Sequence, residues 1–112
     1  MKVIIAGTRV LDDYEYVKDQ ITKSKFDITE VVSGCCYGVD ALGEKFAIEN
    51  NINVKEMPAK WAIHGKAAGP IRNEEMAKYA DALILIWDGE SKGSLNMLRN
   101  ATKYGLKLYT NI

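Results

Sequence analysis

The segment "VVSGCCYGVDALGEKFA" at residues 31–47 decides how the chain is read. A short β-branched run ends at Ser33, a loop holds Gly34 and Gly38 around two adjacent cysteines, and Val39, Leu42 and Phe46 then recur at helical spacing. That is a strand turning directly into a helix across a glycine-rich corner.

The same alternation runs through the chain. "KVIIAG" (2–7), "ITEVVS" (28–33), "INVKEM" (52–57), "ALILIW" (82–87) and "LKLYT" (106–110) read as strands. "DDYEYVKDQITKS" aligns Tyr14, Val17 and Ile21 on one helical face, and "GPIRNEEMAKYA" and "GSLNMLRNATKYG" supply two further helices. Pro70 suits a first helical position, Ser94 a place near an N-cap, and Gly105 a stop. Five strands separated by four helices predict right-handed βαβ units. The expected architecture is a Rossmann-like α/β three-layer sandwich with an open, mostly parallel five-stranded sheet, and residues 1–112 read as one domain. Gly43 inside the second helix points to close packing there.

Basic and acidic residues balance at 15 each. This disfavours sequence-blind nucleic-acid binding and leaves room for a local basic pocket. The apolar start runs directly into charge and no stretch reaches the roughly 20 apolar residues of a membrane span, so a cytoplasmic protein without a membrane partner is expected. Cys35 and Cys36 are neighbours, which ordinary disulfide geometry does not suit, and packing is the expected role for both. His64 is the only histidine, so no metal site is expected.

In open α/β sheets ligands bind beyond the carboxyl ends of the strands. The loops that matter are therefore "GTR" (7–9), "GCCYG" (34–38), "PAKWAIHGKAAG" (58–69) and "DGESKGS" (88–94). Glycines ahead of a helix start let backbone N–H groups approach an anion, so Ser33 and the amides of Gly34 to Gly38 form one candidate phosphate cradle. The alternative is a plain strand-to-helix turn. Gly89, Gly93 and Ser94, with Lys92 nearby, form a second cradle under the same alternative. Asp40 in the first turn of a helix either complements the helix dipole or accepts a hydrogen bond from a ribose hydroxyl.

The loop at 58–69 is long for such a unit and holds Trp61, His64 and Lys66. Trp61 stacks on a ring or anchors the loop, and His64 reads as an ordinary surface residue. "GPIRNEEM" places Arg72 and Asn73 in the first turn of the next helix, where an arginine opposes the dipole and so points to an anion nearby. Glu74 and Glu75 share that turn, with Glu75 able to neutralise Arg72 or Arg9. The candidate ligand-binding residues are Gly7, Thr8, Arg9, Ser33, Gly34, Gly38, Asp40, Trp61, Lys66, Arg72, Asn73, Gly89, Gly93 and Ser94, and the catalytic candidates are Arg72 and Glu75.

Taken together, "GTR", "SGCCYGVDALGEKFA", "PAKWAIHGKAAGPIRNEEM" and "DGESKGSLNM" resemble the SLOG superfamily, the Rossmann-like group that includes the Lonely Guy phosphoribohydrolases, and most closely its small bacterial and phage branch. The resemblance implies a nucleotide or nucleotide-derived ligand at the strand ends, commonly in a homodimer. In the Lonely Guy enzymes an arginine before the third helix and a glutamate in PGGxGTxxE carry N-glycosidic cleavage. Arg72 stands at the comparable place, whereas Met97 stands where the glutamate would. The chain is thus expected to bind such a ligand as a sensor or sequestering module, without a cofactor. The alternative is a nucleoside monophosphate phosphoribohydrolase whose carboxylate has moved to Asp40, Glu74, Glu75 or Glu90. A nucleic-acid module ranks last, although a related DNA-processing protein shares part of the "SGxxxGxD" pattern.

Overall fold

A computed structural model describes residues 1–112. Its strands are β1 (Lys2–Gly7), β2 (Glu30–Ser33), β3 (Asn53–Glu56), β4 (Ala82–Ile86) and β5 (Lys107–Thr110). Its helices are α1 (Tyr14–Ser24), α2 (Val39–Glu49), α3 (Trp61–His64), α4 (Ala68–Tyr79) and α5 (Lys92–Lys103). The sheet order is β3-β2-β1-β4-β5 and every neighbouring pair is parallel, so the expected "mostly parallel" sheet is wholly parallel.

Position in the sheet follows from composition. All five residues of β4 are buried, as an unbroken Ala-Leu-Ile-Leu-Ile run requires of a strand covered on both faces. The edge strands β3 and β5 carry Lys55, Glu56 and Lys107 and stay largely exposed, and such charge discourages pairing with another sheet. Alternation divides the core. Val3, Ile5, Val31, Ile84 and Ile86 meet Val17 and Ile21 of α1 and Val39 and Ala47 of α2. Ile4, Val32, Leu83 and Leu85 meet Met76 and Ala77 of α4 and Met97 and Ala101 of α5 on the other face.

Gly43 lies on the inner face of α2, where an added Cβ would sit 2.7 Å from Ile5 Cγ2. The expected close packing is present. Asp13 caps α1 by accepting from the Tyr16 N–H at 3.1 Å. Gly105 follows α5 with φ +71°, the left-handed turn that ends a helix.

Three local expectations are corrected. The segment at 58–69 is not an open loop: it holds the single turn α3 and a 3-10 turn over Gly65–Ala67. Helix α4 begins at Ala68, which makes Pro70 its third residue; this is tolerated because the first turn leaves its N–H groups unpaired in any case. Arg72 and Asn73 consequently fall in the second turn, both buried. Ser91, not Ser94, is the N-cap of α5.

Candidate functional site

β1 leads to α1 and then to β2 on one side, whereas β4 lies on its other side, so chain direction across the sheet reverses between β1 and β4. Carboxyl ends that diverge in this way leave a crevice. A cavity of about 320 Å³ occupies it. Ala6 and Gly7 form its floor, Thr8, Arg9 and Val10 its rim, and Cys36 and Asp40 the wall at the start of α2. Arg72, Asn73 and Met76 of α4 and Gly93, Ser94 and Met97 of α5, with the cap Ser91, complete it.

Arg72 is 8% exposed and forms no salt bridge. Its Nη1 donates to the Gly34 carbonyl at 2.5 Å and its Nε to Asn73 Oδ1 at 2.9 Å, which fixes the guanidinium against the β2–α2 corner. Asp40 approaches the same point: a Cβ on Gly34 would meet Arg72 Nη1 at 2.7 Å and Asp40 Oδ2 at 2.8 Å. Only glycine leaves room for both groups. The Cys36 N–H donates to Asp40 Oδ2 at 3.3 Å, and no other group of the chain donates to this carboxylate. Burial pushes the Asp40 carboxyl up to about 6, against the pull of the Cys36 N–H and of Arg72.

The opposite wall is the start of α5. Asp88 Oδ1 accepts from the Glu90 and Ser91 N–H groups at 2.8 and 3.2 Å, and Ser91 Oγ accepts from the Ser94 N–H at 3.4 Å. Asn73 ties the two helices together, donating from Nδ2 to Asn96 Oδ1 at 2.9 Å. Ser94 is 5% exposed, and its Oγ is buried without any hydrogen-bond partner. A buried hydroxyl without a partner costs about 1–3 kcal/mol, and Ser94 is also one of the residues that line the cavity.

The cavity therefore gathers eight of the expected site residues: Gly7, Thr8, Arg9, Asp40, Arg72, Asn73, Gly93 and Ser94. Others stand behind it. The Ser33 hydroxyl donates to Glu44 Oε2 at 2.6 Å, and Gly34 supplies the carbonyl that holds Arg72. Gly38, with φ +75°, presses against the Thr8 and Arg9 backbone, where a Cβ would meet Thr8 O at 2.3 Å. Gly89 turns the chain beside Ile112.

Trp61 and Lys66 are exposed and do not line the cavity, and the Trp61 ring lies over Gly69. Glu75 is exposed and pairs with neither Arg72 nor Arg9. Glu74 is taken up by Lys78, Lys103 and the Tyr104 hydroxyl. Among the four relocated carboxylates considered above, Asp40 alone reaches the cavity.

Ala6, Val10, Met76 and Ser91 were not expected there, whereas Met97 stands at the glutamate position of the resemblance and Cys36 lies within the Gly34 to Gly38 turn. The available signal was helical spacing: Met76 lies four residues after Arg72, and Met97 three after Ser94. Cys35 is exposed rather than packed, with Sγ 3.5 Å from Glu56 Oε2. Although the residue is exposed, partial desolvation of its thiol together with that acceptor pushes it up to about 11, away from reactivity. Its sulfur and the carboxylates of Glu44 and Glu56 lie within 4.8 Å of one another, outside the cavity.

No family model matches the chain. The Gene 61 protein of Mycobacterium phage D29 is 30% identical over 115 residues, taking in 94% of this chain and 91% of that protein. Among solved structures, DNA processing protein A (DprA) from Streptococcus pneumoniae matches with a TM-score of 0.77 at 18% identity over 97% of this chain. This chain spans about half, 49%, of the DprA chain. At this identity the likeness shows the fold alone. No helix is long and apolar enough to cross a membrane.

Proposed function

We propose that this chain, which belongs to the family of the Gene 61 protein of Mycobacterium phage D29, binds a nucleotide or nucleotide-derived small molecule at the carboxyl ends of β1 and β4. The observation that carries the reading is the Ser94 hydroxyl, buried without a partner at the start of α5 and lining the same cavity as Arg72, a buried guanidinium without a salt bridge. Both call for an acceptor, and the start of a twelve-residue helix favours an anionic one. A phosphate group satisfies all three. The remaining wall, with Met76, Met97 and Val10, suits an uncharged portion of the same molecule. The protein then acts as a sensor or sequestering module, and the superfamily resemblance adds the expectation of a homo-oligomer.

A second reading rests on Asp40. A phosphoribohydrolase needs a carboxylate beside the scissile bond, and Asp40 is the only acidic residue on the cavity wall. Incubation with a panel of nucleotides and chromatography for free base tests it: no release above a buffer control at high protein concentration removes the enzyme.

Thermal melting against mononucleotides, NAD, ADP-ribose and cyclic nucleotides tests binding itself. A ligand at about 100 times its dissociation constant stabilises the folded state by roughly 2.7 kcal/mol, several degrees for a domain of this size. The expected result is a shift confined to one chemical class and lost in Ser94→Val. No shift with any compound, for protein shown to be folded, overturns the reading.

A further inference from the structure

The cavity holds one carboxylate among its cations, and that carboxylate is under-satisfied. Asp40 is 5% exposed, accepts a single 3.3 Å bond from the Cys36 N–H, and lies against Arg72 without a salt bridge. Asp40 lines the same space of about 320 Å³ as Arg72 and Ser94, so an anion held there shares it with the Asp40 carboxylate. Two like charges that share a small, poorly hydrated space cannot both remain ionised without cost.

We propose that Asp40 determines which charge the cavity accepts: while ionised it opposes the anion, and near neutral pH an anion that binds beside Arg72 draws a fraction of a proton from solvent onto the Asp40 carboxyl. This rests on the anionic-ligand reading above. The charged and titratable groups facing Asp40 are Arg72 from α4, Arg9 from the loop after β1, Glu44 from its own helix and the Cys36 segment after β2. Arg9 and Arg72 attract the anion, and Glu44 is engaged by Ser33, which leaves Asp40 as the group that exchanges the proton. Burial already holds its carboxyl at about 6, so a neighbouring anion that moves it by about one further unit leaves it about half protonated at pH 7.

Sulfate is the probe, because it is tetrahedral and keeps its charge from pH 5 to 8. Its affinity is measured by titration calorimetry at fixed ionic strength for the wild type and for Asp40→Asn, an uncharged side chain of the same shape. At pH 8 the variant should bind about tenfold more tightly, and at pH 5, where the wild-type carboxyl is neutral, the two affinities should converge. The wild type alone should lose about tenfold between pH 5 and pH 8, with heats at pH 7 that vary with the ionisation enthalpy of the buffer. A ratio that does not change with pH, or weaker binding by Asp40→Asn at pH 8, overturns the proposal; the second result would make Asp40 an acceptor for a ligand donor. If sulfate and every nucleotide fail to bind, the anionic-ligand reading falls with it. If they bind and the ratio stays flat, only the role of Asp40 falls.

Discussion

Replacing Arg72 by alanine tests the centre of this site through stability alone, and its cost can be worked from the structure. The substitution removes a charged donor from the Gly34 carbonyl and the bond to Asn73, and it leaves that buried carbonyl only the weak Cys36 thiol donor at 3.8 Å. A charged hydrogen bond of this kind contributes about 1.5–3 kcal/mol, so a total near 3 kcal/mol is expected at pH 7, on the order of 10 °C in the melting midpoint. The cost should depend on pH because of Asp40. Its folded-state carboxyl lies at about 6, above the ordinary 3.8, so this group costs stability as pH rises from the lower value and stops costing more once it ionises in the folded state. Between pH 5 and pH 7 that ionisation lowers the wild-type folded state by roughly 1.4 kcal/mol. Without the guanidinium the carboxyl moves higher and most of this term is lost, while the unfolded chains respond identically. Urea denaturation should therefore show a penalty for Arg72→Ala larger at pH 7 than at pH 5 by roughly 1 kcal/mol. A penalty below 1 kcal/mol, or one equal at both pH values, would refute the coupling of Arg72 to Asp40.

Two further perturbations address the frame around the cavity. Gly43→Ala places a Cβ 2.7 Å from Ile5 Cγ2 and must push α2 off β1, so denaturant midpoints should report a loss of about 1–3 kcal/mol despite the better helix propensity of alanine; a gain would mean that the helix is free to shift. Cys35 should react slowly with iodoacetamide at pH 7.5 because its thiol is pushed up to about 11, and Glu56→Gln should speed the reaction; mass spectrometry of the alkylated peptide measures both, and equal rates would remove Glu56 as the cause.

How much of this was legible in the sequence differs between sheet and helices. The five strands follow from β-branched runs bounded by glycine and charge, and even their order is hinted at by the contrast between "ALILI" and the lysine-bearing edges. The loops read as candidate cradles fall on one edge because parallel strands put every strand-to-helix loop there. The geometry of Arg72 was not legible. Pro70 signals a helix start but does not say whether it is the first or third residue, since the chain loses no hydrogen bond either way. A shift of two residues turns Arg72 from the first turn, beside solvent, to the second, against Gly34. The turn α3 was hidden for a related reason: its four residues are all exposed, so no buried face imposes a pattern on "WAIH". Met76 and Met97 belong to the core cluster and also line the cavity, a double placement that helical spacing alone does not show.

Met97 gives the superfamily resemblance a physical limit. Its side chain is 2% exposed and belongs to the cluster that joins α4 and α5 to the sheet, with Met76, Leu83 and Leu85. A glutamate at this position would bring a carboxylate into an apolar contact set. The difference from the Lonely Guy pattern is thus built into the packing of the chain. Restoring the glutamate alone would raise its pKa and loosen the α4–α5 contact before it supplied a catalytic carboxylate. Asp40, at the start of α2, is the only acidic residue that lines the cavity, and burial there already weighs against its charge.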